Sequence, residues 1–230
     1  MRGSLVVLAL AALVALVAPT AAFAQIAPSA AETAGYRGLH AAAARGDVAA
    51  IRRLAPAGGI DARDGHGRTP LHVATFAHQR DAIQALLAAG ADPALLDDDR
   101  YDAVTIASVA DDEETLAVLL AGGASAKLVT SRYDGTALIA AAHLGHDGVV
   151  RRLIAAGAPL DHVNNLHWTA MIESIVLGDG GQRHQATLAA LLGAGASTAL
   201  ADRTGRKPLA LARDRGYREM VRMLEAAGAR

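Results

Sequence analysis

The stretch Gly67-Arg68-Thr69-Pro70-Leu71-His72-Val73-Ala74 decides the reading of this chain. Thr69 followed by Pro70 marks a helix start. A threonine hydroxyl can accept an unpaired backbone N–H of the first turn, and proline fits the first helical position. That helix must be short, because the chain turns at His78. A second helix is expected over residues 81–89, where Ile83, Leu86 and Leu87 fall on one face at helical spacing. Gly90 stops it. The polar stretch 97–99 then leads into whatever follows, and is long enough for an extended turn.

Working outward, the same pattern recurs. A glycine closing an apolar run stands at Gly58, Gly90, Gly123, Gly157, Gly195 and Gly228, at intervals of 32, 33, 34, 38 and 33 residues. A second landmark keeps step at Leu39, Leu71, Val104, Leu138, Met171 and Leu209. The inter-helix turn held by His78 is filled by Gly46, Gly145, Gly178 and Gly216 in other units. Two landmarks in one phase predict an all-α solenoid of about six helix-turn-helix units joined by extended turns, over residues 35–63, 64–97, 98–130, 131–164, 165–201 and 202–230. Residues 25–34 are expected to be a short flexible lead-in.

These residues carry a resemblance. Gly67 to Ala74 resembles the ankyrin signature Gly-x-Thr-Pro-Leu-His-x-Ala, and Leu86-Leu87-Ala88-Ala89-Gly90-Ala91-Asp92 resembles the ending of such a repeat. Gly135-Thr136-Ala137-Leu138, Gly145-His146, Leu39-His40-Ala41-Ala42 and Lys207-Pro208-Leu209 repeat parts of it. The resemblance spans about residues 35–230. It implies an ankyrin-repeat stack that binds a protein, with His40 and His72 bonding between neighbouring units. Two departures stand out. The third unit has Asp102-Ala103-Val104-Thr105 in place of Thr-Pro-Leu-His, and Asp111 in place of the inter-helix glycine. The fifth has five extra residues, 179–183, whose glycines predict a mobile protrusion. Arg213 and Glu225 suit a C-terminal capping unit with one face in water.

Hydrophobic residues make up 52% of the chain and aromatics 3%, so the core must be built from small aliphatic side chains. The formal net charge is −1, without the basic excess that nucleic-acid binding requires. There is no cysteine, which rules out disulfides, thiolate metal sites and cysteine nucleophiles.

Residues 1–24 read as a cleaved signal peptide: Arg2, an apolar run over residues 5–18, and Ala22-Phe23-Ala24 before the cut. The run is short for a membrane-spanning helix. The expectation is a periplasmic or secreted protein, cut after Ala24, monomeric and without stable membrane insertion.

No residue pattern calls for an enzyme. The phosphate-loop, Gly-x-Ser-x-Gly and His-Glu-x-x-His motifs are all missing. Asp97, Asp98, Asp99 and Asp102 cannot form an EF-hand, since the sixth and twelfth loop positions fall on Asp102 and Ser108. Asp111-Asp112-Glu113-Glu114 suits the positive end of a second helix. Nine histidines keep a metal- or small-ligand-binding protein open as the alternative, although Gly145 between His143 and His146 should turn the two apart. No cofactor is expected.

The resemblance places a partner surface on two columns. One precedes the Thr position: Tyr36, Arg68, Tyr101, Gly135, Trp168 and Arg206. The other precedes the inter-helix glycine and includes Phe76, Val109, His143, Leu144, Val176 and Leu177. Tyrosine and tryptophan are enriched among residues that dominate binding energy. For Phe76, Val109 and Val176 a packing role between helices stays open. Tyr101 and Trp168 are expected on turn tips, so that replacing either with alanine should abolish partner capture and leave the melting temperature nearly unchanged. An accessory, inhibitory or protective role toward an exported enzyme is the function this implies.

Overall fold

The computed structural model describes residues 25–230; the expected signal peptide, 1–24, lies outside the described residues. A short helix, α1 (Ala30–Gly35), precedes six helix pairs. The first helices of the pairs are α2 (Gly38–Arg45), α4 (Pro70–Phe76), α6 (Ala103–Val109), α8 (Ala137–Leu144), α10 (Ala170–Val176) and α12 (Pro208–Asp214). The second helices are α3 (Val48–Leu54), α5 (Arg80–Ala88), α7 (Glu113–Ala121), α9 (Asp147–Ala155), α11 (Gln182–Gly193) and α13 (Arg218–Ala226). Each first helix packs on the next first helix and each second helix on the next second helix, giving two stacked rows, inner and outer.

Local chemistry sets where the inner helices begin. Thr69, Thr136 and Thr169 cap α4, α8 and α10 by accepting the backbone N–H of His72, Ile139 and Ile172. Asp102, the departure in the third unit, does the same work by accepting from Thr105. One side chain also closes each connecting turn. Oδ1 of Asp64 accepts from the backbone N–H of His66 and Arg68. Asp97 holds Asp99 and Tyr101 in the same way, Asn164 holds Leu166 and Trp168, and Asp202 holds Thr204 and Arg206. Asp97 and Asp102 are thus committed to backbone donors. In the fourth unit Ser131 takes this place, assisted by a two-residue hairpin of β1 (Val129–Thr130) and β2 (Gly135–Thr136).

Two expectations fail. The lead-in is not featureless: Ser29 and Glu32 form a capping box that starts α1. Nor does the insertion protrude. Its last two residues, Gln182 and Arg183, begin α11, a helix of 12 residues where its neighbours α9 and α13 have 9, and 179–181 form the turn before it. Arg183 within it pairs with Asp111 two units away and with Asp147 of the adjacent unit. The ion pairs of Arg183 and the helix start give the segment a fixed place despite its glycines. The left-handed residue moves with the insertion, from Gly178 to Gly180 (φ 70°), over which the Tyr217 ring lies.

A Cβ on Gly180 would stand 2.5 Å from Cδ1 of Tyr217, whereas Gly216, also left-handed at φ 70°, has open space. Gly216→Ala should therefore cost about 1–2 kcal/mol from backbone conformation alone. Gly180→Ala should cost measurably more, and chemical denaturation of the two variants checks the order.

Candidate functional site

The residue that each turn clamp holds four positions on is the first-column residue: Arg68, Tyr101, Gly135, Trp168 and Arg206. The column is real, but its members have different fates. Tyr101 is 4% exposed, and burial raises its phenol above the usual range. It belongs to the packing of the third unit, and the exposed turn-tip role expected of it does not hold. Arg68 is 1% exposed. Its guanidinium bridges Asp64 (2.7 Å) and Glu32, and it also donates to the carbonyl of Ile26. Tyr36 is half-buried and donates to Asp64 Oδ2 at 2.6 Å. Arg68 thus binds the chain's own N-terminal helix, α1, through Glu32, and Tyr36, the residue after α1, is tied to Asp64 of the second unit. Sequence reasoning missed this because the lead-in was read as structureless.

The remaining candidates stay accessible. Phe76, Val109, His143, Leu144, Trp168 and Val176 are partly exposed, and Leu177 is 39% exposed. Trp168 and Val176 also pack in part against the core, so packing and exposure coexist there. The stripe runs through the second to fifth units along the C-terminal ends of α4, α6, α8 and α10.

Beneath it lies a residue that the sequence reading passed over. Glu173 on α10 is fully buried. In the register of the repeat it falls in the column Ala41, Val73, Ile106, Ala140 and Leu211, so a lone charge among apolar residues was the available signal. Asn164 Nδ2 donates to its Oε1 at 2.8 Å. Its other oxygen, Oε2, has no hydrogen-bond partner and stands 3.4 Å from Nδ1 of His143 on α8.

The histidines largely tie units together. The rings of His40, His72, His146 and His184 donate to the carbonyls of Arg68, Tyr101, Ser108 and His143, each in an adjacent unit, and His162 donates to the Asp134 carbonyl within the fourth unit. Tyr217 Oη reaches the Gly178 carbonyl in the same manner. Burial holds His72 down at about 4, and its Nδ1 accepts from the Thr69 N–H, so the neutral ring bonds on both sides. His143 and His146 do point apart, one toward Glu173 and the other toward Ser108. Among the described residues no three His, Asp or Glu side chains converge as a metal site would require.

The model of the family described as ankyrin repeats (3 copies) matches residues 12–97, and the single ankyrin repeat matches residues 133–165. The ankyrin repeat protein YahD of Escherichia coli K12 is 36% identical over 190 residues, covering 82% of this chain and 94% of that protein. The chain belongs to the ankyrin-repeat family. A solved ankyrin repeat domain from Acinetobacter baumannii is 46% identical with a TM-score of 0.78, covering 84% of this chain and 98% of that one. The ankyrin repeat domain of Bcl-3, a member of the IκB family, is 28% identical with a TM-score of 0.76, over 85% and 88% of the two chains. Ankyrin repeats are in general protein–protein interaction modules. The inner row and connecting turns of this ankyrin stack are therefore its candidate surface.

Two predictions follow from these placements. Tyr101→Ala should destabilise the ankyrin stack by about 3 kcal/mol, the scale of a large-to-small change at a buried aromatic. Trp168→Ala, being only partly buried, should cost less, and thermal melts of the two variants check the contrast. The second concerns acid. Bonds from Ser29, then Arg68, hold Glu32 at about 2. Burial would raise Asp64, but Tyr36, His66 and Arg68 outweigh it and hold it at about 2 as well. Carboxylates lowered on folding stabilise above their ordinary range and lose that effect as pH falls through the folded value. The protection of the α1 amides relative to their intrinsic exchange rate should therefore fall between about pH 4 and pH 2. In Arg68→Met it should be low at neutral pH already.

Proposed function

We propose that this ankyrin protein is a non-enzymatic binding module of the periplasm that holds a protein partner against its inner row. The observation that carries the reading is the stripe of accessible, mostly apolar side chains from Phe76 to Leu177, presented by helices whose opposite faces are buried. A contiguous apolar patch with an aromatic anchor is the usual composition of an interface centre. The apolar run before Ala24 supports export, and among the described residues no helix is long and apolar enough to cross a membrane. An accessory, inhibitory or protective role toward an exported enzyme is the form of activity this arrangement suits.

The test is affinity capture from a periplasmic extract with the wild-type chain, Leu177→Asp, Trp168→Ala and the outer-row control Arg53→Glu. A partner retained by wild type and Arg53→Glu, but lost by at least tenfold from Leu177→Asp and Trp168→Ala, is the expected result. Equal retention by all four would contradict the assignment of the surface.

A further inference from the structure

Glu173 is costly where it stands. A buried carboxylate normally has a counter-charge or a full set of hydrogen bonds. Glu173 has one bond, from Asn164, and among the described residues its one ion-pair partner within 4 Å is a histidine. Five other units place an aliphatic residue in the same register without difficulty, so packing does not demand a charge. A rule broken at one position of an otherwise consistent repeat marks a functional or strained site.

Position adds a direction to this. The His143 side chain is 20% exposed and Glu173 is not exposed at all, so the imidazole is the member of the pair that solvent reaches. Asn164 holds Glu173 with its Nδ2 and holds the backbone N–H of Trp168 with its Oδ1, so one amide fixes the acid and the turn carrying the tryptophan.

We propose that Glu173 is the receptor for an arginine side chain of the protein partner, which enters by displacing His143. This rests on the inner row being the partner surface, and deepens it by naming what the partner must present. Among the described residues Oε2 accepts no hydrogen bond and has only the His143 ring near it within ion-pair distance, so it offers a buried carboxylate acceptor, where a charge-assisted bond is strong. Arginine suits this better than lysine: its guanidinium is weakly hydrated, is always charged, and can stack on the His143 or Trp168 ring. The apolar stripe supplies the bulk of the contact, and Glu173 supplies selectivity, since a partner lacking the cation leaves the acid buried and unmatched.

Titration with N-acetyl-arginine methylamide and its neutral isostere N-acetyl-citrulline methylamide, followed by ¹H–¹⁵N NMR, tests this directly. Trp168 is the one tryptophan, so its indole signal is unambiguous. Saturable shifts at the indole and the Asn164 amide with the arginine compound, at least tenfold weaker with citrulline, are expected. Glu173→Gln should lose the response while melting no lower than wild type, because the amide is isosteric and retains the bond from Asn164. Equal responses to the two compounds in wild type, a reading that needs no variant, would overturn the proposal. So would an undiminished response in Glu173→Gln. If Glu173→Gln captures the partner normally while Leu177→Asp does not, the arginine receptor falls and the binding surface stands. If both capture it, the surface assignment falls as well.

Discussion

Everything in this molecule depends on how closely successive inner helices can approach. The position that ends the Thr-Pro-Leu-His-x-Ala pattern is Ala42, Ala74, Ala107, Ala141, Ser174 and Ala212 through the six units, and all six are buried. A small residue there lets one helix of seven or eight residues lie against the next. No such pair could bury its apolar face alone, so each unit is stable only through its neighbours. Ser174, the one polar member, satisfies its hydroxyl on the Met171 carbonyl and keeps the small volume. A larger side chain in this column would separate two units and disturb both.

Close stacking brings polar backbone into the joints, and the sequence meets that need with side chains spaced at the repeat. Histidine rings and Tyr217 reach carbonyls of adjacent units. Asp64, Asp97, Ser131, Asn164 and Asp202 gather the N–H groups of the turns. The histidine richness that suggests metal binding is thus explained mainly by inter-unit bonding. Burial of His72 keeps that ring neutral, the form that can accept on one nitrogen and donate on the other.

The repeat, its phase and the helix starts were legible from spacing, because a period near 33 residues and capping threonines are local facts. The columns were legible too, since register fixes where a Cβ points. What covers that side chain was not. Tyr101 and Trp168 share one register, yet one is buried and the other half-open. Arg68 disappears beneath α1, a helix whose docking depends on Glu32 meeting a residue 36 positions away. The 179–183 insertion looked mobile because its glycines are visible in sequence, whereas the pairing of Arg183 with Asp111 is not. Glu173 could have been found by aligning the units and asking which column holds one charge.

Together these features describe a stack whose inner row carries partly exposed, mostly apolar side chains above the buried carboxyl of Glu173. Amide hydrogen exchange on the complex with its captured partner tests that description most directly. Slowed exchange at the C-terminal ends of α4, α6, α8 and α10 and in the turn bearing Trp168, with α5, α7 and α9 unchanged, is what the account predicts. Protection confined to the outer row would contradict it.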